Sequence, residues 1–206
     1  MNEDRVTTHP AIAGRWKGHV NDWQGCQTCP LGSMACHHVL GRGHLPCDVL
    51  LVGEAPGSEE DAQGLPFIGR SGRLLEAAIG RVFSEEGRSV HAFVTNTVAC
   101  APRDEPGGKI RKPNGAEFTA CSPRLLDVID LACPKRAVAL GRVSQDVLRR
   151  LHDAGHLKCP YSYVYHPAYI LRQGGSVVCD TSVTRFDGLV DRWLKDLQKA
   201  LFGENL

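Results

Sequence analysis

The chain has 206 residues, with 24 Lys and Arg against 23 Asp and Glu, and an apolar share of 42% beside 23% charged residues. That composition excludes a disordered chain and provides for one sizeable core, so a single domain over residues 1–206 is expected. The net charge of +1 excludes a globally basic protein, so any nucleic-acid contact must rest on a local patch, and no apolar run approaches the roughly 18 residues of a membrane span.

Residues 1–24 read as an irregular or partly helical lead-in without the apolar stretch of a secretory signal, and Gly25–Pro46, rich in Gly, Cys and His, as an ordered loop. Cys47–Glu54 is a continuous apolar run ending at Gly53, the pattern of a buried parallel strand. A long Gly- and Pro-punctuated loop follows, then a helix beginning at RLLEAAIGRVF. Val90–Val98 is a second strand, and the polar loop APRDEPGGKIRKPNG leads to a helix through AEFTACSPRLLDVIDLA. Arg136–Gly141 is a third strand, Val143–His152 a helix, and Tyr161–Pro167 a fourth strand. The last helix covers Thr184–Phe202, with Phe186, Leu189, Val190, Trp193, Leu197 and Leu201 on one face. Alternating strands and helices predict right-handed crossovers and a parallel sheet covered on both faces. Ligands in such folds sit beyond the carboxyl ends of the strands, where this chain places Glu54, Asn96 and His166.

Nine cysteines are an odd number with no sign of export, so clustered ones point to metal and an intracellular, reducing, cytoplasmic setting, while others serve as small buried apolar residues. Cys26 and Cys29 form C-x2-C, and Cys100 and Cys121 lie past the second strand and in the following helix. Four thiolates from separated regions suit a cubane iron–sulfur cluster. Cys26, Cys29, Cys36 and His37 or His38 instead suit zinc, and the spacing leaves both open.

Gly53–Gly57 follows a strand as phosphate loops do, yet it is neither a Walker loop nor G-x-G-x-x-G. Glu59-Glu60-Asp61 reads as a solvated acidic loop, a description that fits Glu59 best and Glu54, at the strand tip, worst. Phe67 is either core or a stacking platform for a planar base. Asn96 either caps a turn or offers a donor and an acceptor to an amide-like edge. His166, before Pro167, is either a structural residue or a rim catalyst.

Together, CQTCPL (Cys26–Leu31), GEAPGSEEDAQGLPFIGRSGRLL (Gly53–Leu75), VTNTVAC (Val94–Cys100), ALGRVS (Ala139–Ser144) and HPAYILR (His166–Arg172) resemble family 4 uracil-DNA glycosylases, the iron–sulfur members of their superfamily. The resemblance implies a three-layer α/β/α fold with a four-stranded parallel central sheet, and it sets residues 1–25 apart as an N-terminal extension. It implies a [4Fe–4S] cluster on Cys26, Cys29, Cys100 and Cys121, and hydrolysis of the glycosidic bond of uracil flipped out of single- or double-stranded DNA by a monomer. It implies base binding by Gly53, Ala55, Phe67, Asn96 and His166, catalysis by Glu54, Asn96 and His166, and DNA contacts from Arg70, Ser71, Leu171 and Arg172, with Leu171 as an apolar wedge. Related proteins that capture uracil covalently carry a nucleophilic His in the loop after the second strand; Glu105–Lys109 contains none, so that activity is not expected. The other classes to weigh are an accessory DNA-binding relative that senses uracil or assists a polymerase, and a zinc-dependent nucleotide-binding protein.

Overall fold

The computed structural model describes residues 6–174 and 188–203. In chain order the elements are β1 (Val6–Thr8), α1 (Pro10–Trp23), α2 (Pro30–Met34), β2 (Arg42–Leu45), β3 (Val49–Gly53), α3 (Ser58–Gln63) and α4 (Arg70–Glu86). They continue with β4 (Ala92–Asn96), α5 (Gly115–Ala132), β5 (Arg136–Leu140), α6 (Arg142–Asp153), β6 (Tyr161–Val164), α7 (Pro167–Arg172) and α8 (Gly188–Phe202).

The central strands are the continuous apolar runs. Every residue of Val49–Gly53 is buried, as a strand covered on both faces requires. Alternate residues serve opposite layers. Leu50, Val52, Phe93, Ala137 and Ala139 pack with Trp16 of α1, Leu125 and Val128 of α5 and Leu148 of α6. Val49, Leu51, Val94, Val138 and Leu140 pack with Leu74 and Ala78 of α4 and with Trp193 and Leu197 of α8. The layers are therefore α/β/α, as expected.

Among the described residues the sheet has six strands in the order β1-β2-β4-β3-β5-β6, where four were expected. The expected four form the parallel set β4-β3-β5-β6. The two additional strands extend its β4 edge: β2 runs antiparallel to β4, and β1 parallel to β2. Both are too short, and too rich in Gly, His and Thr, to carry a period-two apolar signal; pairing alone makes them strands. The segment set apart as an extension supplies β1 and α1, and Trp16 is 4% exposed in the core. α2 and β2 likewise occupy the stretch expected to be loop. Val190, Trp193, Leu197 and Leu201 of α8 are buried as expected, whereas Thr184 and Phe186 lie outside the described residues. No helix among the described residues is long and apolar enough to cross a membrane.

Candidate active site

At the carboxyl edge of the parallel strands lies a cleft of about 650 Å3. Glu54, Ala55, Phe67, Ser71, Asn96, His166 and Arg172 all line it, so loops after β3, β4 and β6 converge as strand-end chemistry requires. Arg70 and Leu171 are not among its lining residues. Arg70 is exposed at the start of α4, and Leu171 packs partly against the α4/α8 side of the core.

Gly53 and Asn96 are register partners at the tips of β3 and β4. A Cβ on Gly53 would lie 2.4 Å from both Asn96 Oδ1 and Phe67 Cζ, so only glycine lets the amide and the ring share this floor. Asn96 is 1% exposed, and neither its Oδ1 nor its Nδ2 has a hydrogen-bond partner. An orphaned buried amide costs free energy and in a folded protein calls for an explanation; a ligand edge that it would pair is one.

Phe67 holds a left-handed φ of 55°, a conformation a bulky residue adopts only when its surroundings impose it. Glu60 imposes it. Its carboxylate accepts N–H bonds from Gly57 (3.1 Å), Ile68 (3.0 Å) and Gly69 (2.8 Å), tying the loop after β3 to the residues that follow Phe67. A Cβ on Gly72 would lie 2.0 Å from the Phe67 carbonyl oxygen, so the first turn of α4 can close beneath the ring's backbone. Asp61 accepts from the Cys36 amide and pairs with Arg103 at 3.0 Å. The Glu59-Glu60-Asp61 expectation is thus corrected: Glu60 and Asp61 are buried and bonded, and only Glu59 is a solvated acid, beside Arg73.

His166 caps α7, its Nδ1 accepting the Ala168 N–H at 3.1 Å, which leaves the proton on Nε2. Desolvation, reinforced by Arg172, holds it down at about 4, so the ring is neutral at pH 7. Its ring centroid lies 6.1 Å from that of Phe67. Desolvation raises the Glu54 carboxyl, and Lys112, which also lines the cleft, partly opposes the shift.

Arg124 of α5 was not anticipated. It is fully buried and donates to the Thr95 hydroxyl (2.8 Å) and to the carbonyls of Asn96 and Thr97. Its signal lay in the helical spacing Cys121, Arg124, Leu125, Val128, which places a lone cation on an otherwise inward face.

Behind β4, Cys26, Cys29, Cys100 and Cys121 line one small cavity together with Arg124. Thr28 Oγ1 lies 3.1 Å from Cys26 Sγ, and the Ala99 N–H donates to Cys121 Sγ at 3.4 Å. Burial and the neighbouring Cys121, Cys29 and Cys26 push Cys100 up to about 12, and the Arg124 cation beside them opposes the shift only in part. No group of three or more His, Cys, Asp or Glu among the described residues could hold a metal ion as the side chains stand. A cubane distributes four thiolates around a cluster rather than drawing them onto one ion, so the donor set suits the larger group. The zinc alternative fares worse. Cys36 is exposed, His37 faces the Asp61 carbonyl, and both nitrogens of His38 engage backbone at Gly25 and Cys26. Cys47 is a buried apolar residue, and no disulfide links the described cysteines.

The family profile of the Uracil DNA glycosylase superfamily matches residues 40–197. The chain is 35% identical over 191 residues to a Type-4 uracil-DNA glycosylase of Pyrobaculum aerophilum, covering 83% of this chain and 93% of that protein. It is 40% identical over 119 residues to the Type-4 uracil-DNA glycosylase of Sulfurisphaera tokodaii, and 38% over 117 residues to that of Thermotoga maritima. Those two matches span 51% and 56% of the relatives' own length.

Proposed function

The chain belongs to the uracil DNA glycosylase superfamily, and from that premise we propose that it is a DNA-repair hydrolase that cuts the N-glycosidic bond of uracil in DNA, leaving an abasic site. The observation that carries this reading is the Asn96 amide, buried and unpartnered at the floor of the cleft. Uracil leaves the base stack at a cost of a few kcal/mol and stacks on Phe67. Asn96 accepts from uracil N3–H and donates to O4; cytosine presents the opposite polarity and leaves the amide unmatched. As the bond from C1′ to N1 breaks, its electron pair enters the base and charge builds on O2. Neutral His166 donates a hydrogen bond to O2 from Nε2, and backbone at Gly53 and Ala55 adds to the cradle. Glu54 orients the water that adds to C1′ and favours the cationic sugar. Arg172 and Ser71 contact phosphates, and exposed Arg70 meets the backbone farther out.

Cys26, Cys29, Cys100 and Cys121 would hold a [4Fe–4S] cluster, which supplies structural cross-linking rather than redox chemistry on the base. The protein acts as a monomer on an intracellular DNA substrate. The test is incubation with uracil-containing DNA, alkali and a gel: strand scission at uracil is expected, and Asn96→Asp should abolish it while salt-dependent binding of undamaged DNA persists. Binding of uracil-DNA without base release would support a sensor instead.

A further inference from the structure

The two large apolar side chains that the described residues leave exposed, Ile110 and Tyr165, are each 38% exposed, and both line this one cleft. Isolated exposed apolar residues mean little; two at the mouth of one polar site mark a contact surface. Tyr165 is not alone. Its ring stacks on Tyr169 (centroids 5.0 Å apart, planes 25° apart), and Tyr163 meets it edge-on at 5.7 Å. The strip has a rigid mount, because the indole of fully buried Trp193 donates to the Tyr165 carbonyl at 2.9 Å. The backbone is thus pinned to α8 while the ring faces outward. Arg142, beside Tyr163, and Arg172 add positive charge along the same wall. Ile110 comes from the loop after β4, and β4 and β6 are separated in the sheet by β3 and β5, so the two groups rise from opposite sides of the strand-end opening.

We infer that this mouth is a binding subsite for an unpaired nucleotide flanking the uracil, stacked on Tyr165 with its phosphate toward Arg142 and Arg172, and that the chain therefore prefers single-stranded DNA. The inference rests on the uracil-excision reading. An aromatic face stacks any base, whereas a base inside a duplex is already paired and stacked on its neighbours. Charge on the wall fits a phosphodiester, and the strip continues the lining of the uracil cleft rather than forming a separate patch.

The test uses the full chain and oligonucleotides carrying one 2′-fluoro-2′-deoxyuridine, which resists cleavage, with 2-aminopurine on its 5′ or its 3′ side. Fluorescence quenching at one flank is expected on the single strand, retained in Tyr165→Phe and lost in Tyr165→Ala. With cleavable substrate, Tyr165→Ala should raise KM on single strands by about tenfold, with a smaller effect on kcat and on duplex KM. Ile110→Ala should change KM in the same direction. Quenching at neither flank, or an equal loss on single and double strands in Tyr165→Ala, overturns the proposal. Wild-type protein that quenches but excises nothing would defeat the excision reading while upholding the stacking subsite.

Discussion

The base cleft and the four-cysteine cavity are neighbours in the chain and opposites in construction. Asn96 ends β4 in one, and Cys100 opens the other four residues later. The cleft is held by bonds the chain makes to itself: Glu60 alone gathers three backbone N–H groups, and Arg124 braces the carbonyls at the end of β4. The cysteines come from the α1–α2 connection, the loop after β4 and α5, and few bonds join these segments at the sulfurs. One site is preorganised by the polypeptide and leaves a single amide for its ligand. The other brings donors together and leaves their cohesion to what they bind. Arg124 touches both, since it lines the cysteine cavity and supports the strand that carries Asn96.

The largest effects should come from the side proposed to hold the cluster. Cys100→Ser or Cys121→Ser should strip the protein of iron and visible absorption and cost several kcal/mol of stability, because cluster binding is folding free energy. Iron analysis and calorimetry read this. Iron retained in both variants but lost in Cys36→Ser would reverse the ligand assignment.

On the preorganised side, His166→Ala should slow single-turnover excision by roughly two to three powers of ten, about 3–4 kcal/mol, the scale for one lost oxyanion-type donor. Affinity for uracil-DNA should change far less, because the bond strengthens only as charge develops.

Acid should stress the fold through two buried histidines, one in the cleft and one in α1. His166 and His19 are each held at about 4 against an ordinary 6.5, by desolvation first and by Arg172 and Arg124 respectively. In that window the unfolded chain binds the extra protons. Stability is therefore full above about pH 6.5, falls as pH drops toward 4, and is not lowered further by these groups below that. The loss is on the order of a few kcal/mol. Urea titrations across this range should show it, and His19→Gln should shallow the slope; an unchanged slope would remove His19 from the account.

Glu60→Gln should cost about 1–3 kcal/mol, because three N–H donors lose their anionic acceptor. Its particular signature is a KM rise for uracil-DNA as the turn under Phe67 loosens, with iron content intact. The smallest effect sharpens the comparison most. Arg124→Met should lower excision by about tenfold and shift the visible absorption of the cluster together with it, with Arg124→Lys partly restoring both. Loss of one without the other would show that Arg124 serves a single side.

The parallel core was legible because buried strands spell apolar runs: VLLV at 49–52, AFV at 92–94 and AVAL at 137–140. β1 and β2 were not, because three or four residues of mixed polarity become a strand only when a neighbour supplies the ladder. The cleft residues at strand tips could be named in advance because the ends of parallel strands share one rim, whereas Arg124, which braces the end of β4 from α5, could not, since its partners are set by how the helix packs on the sheet.

By itself the sequence determined the strand–helix alternation, the rim where chemistry must gather, and the cysteines available to meet behind it, because periodicity and residue type are local properties. Tertiary structure decided which polar groups were spent and which were left over. Glu60 and Asp61 changed from solvated acids to buried struts because their partners, Ile68, Gly69, Cys36 and Arg103, lie up to 42 residues away. Asn96 was left with neither amide atom bonded, although it is buried at the tip of β4. Hydrogen-bond satisfaction is a property of the whole packed molecule, and the group left unsatisfied is where a ligand can be recognised.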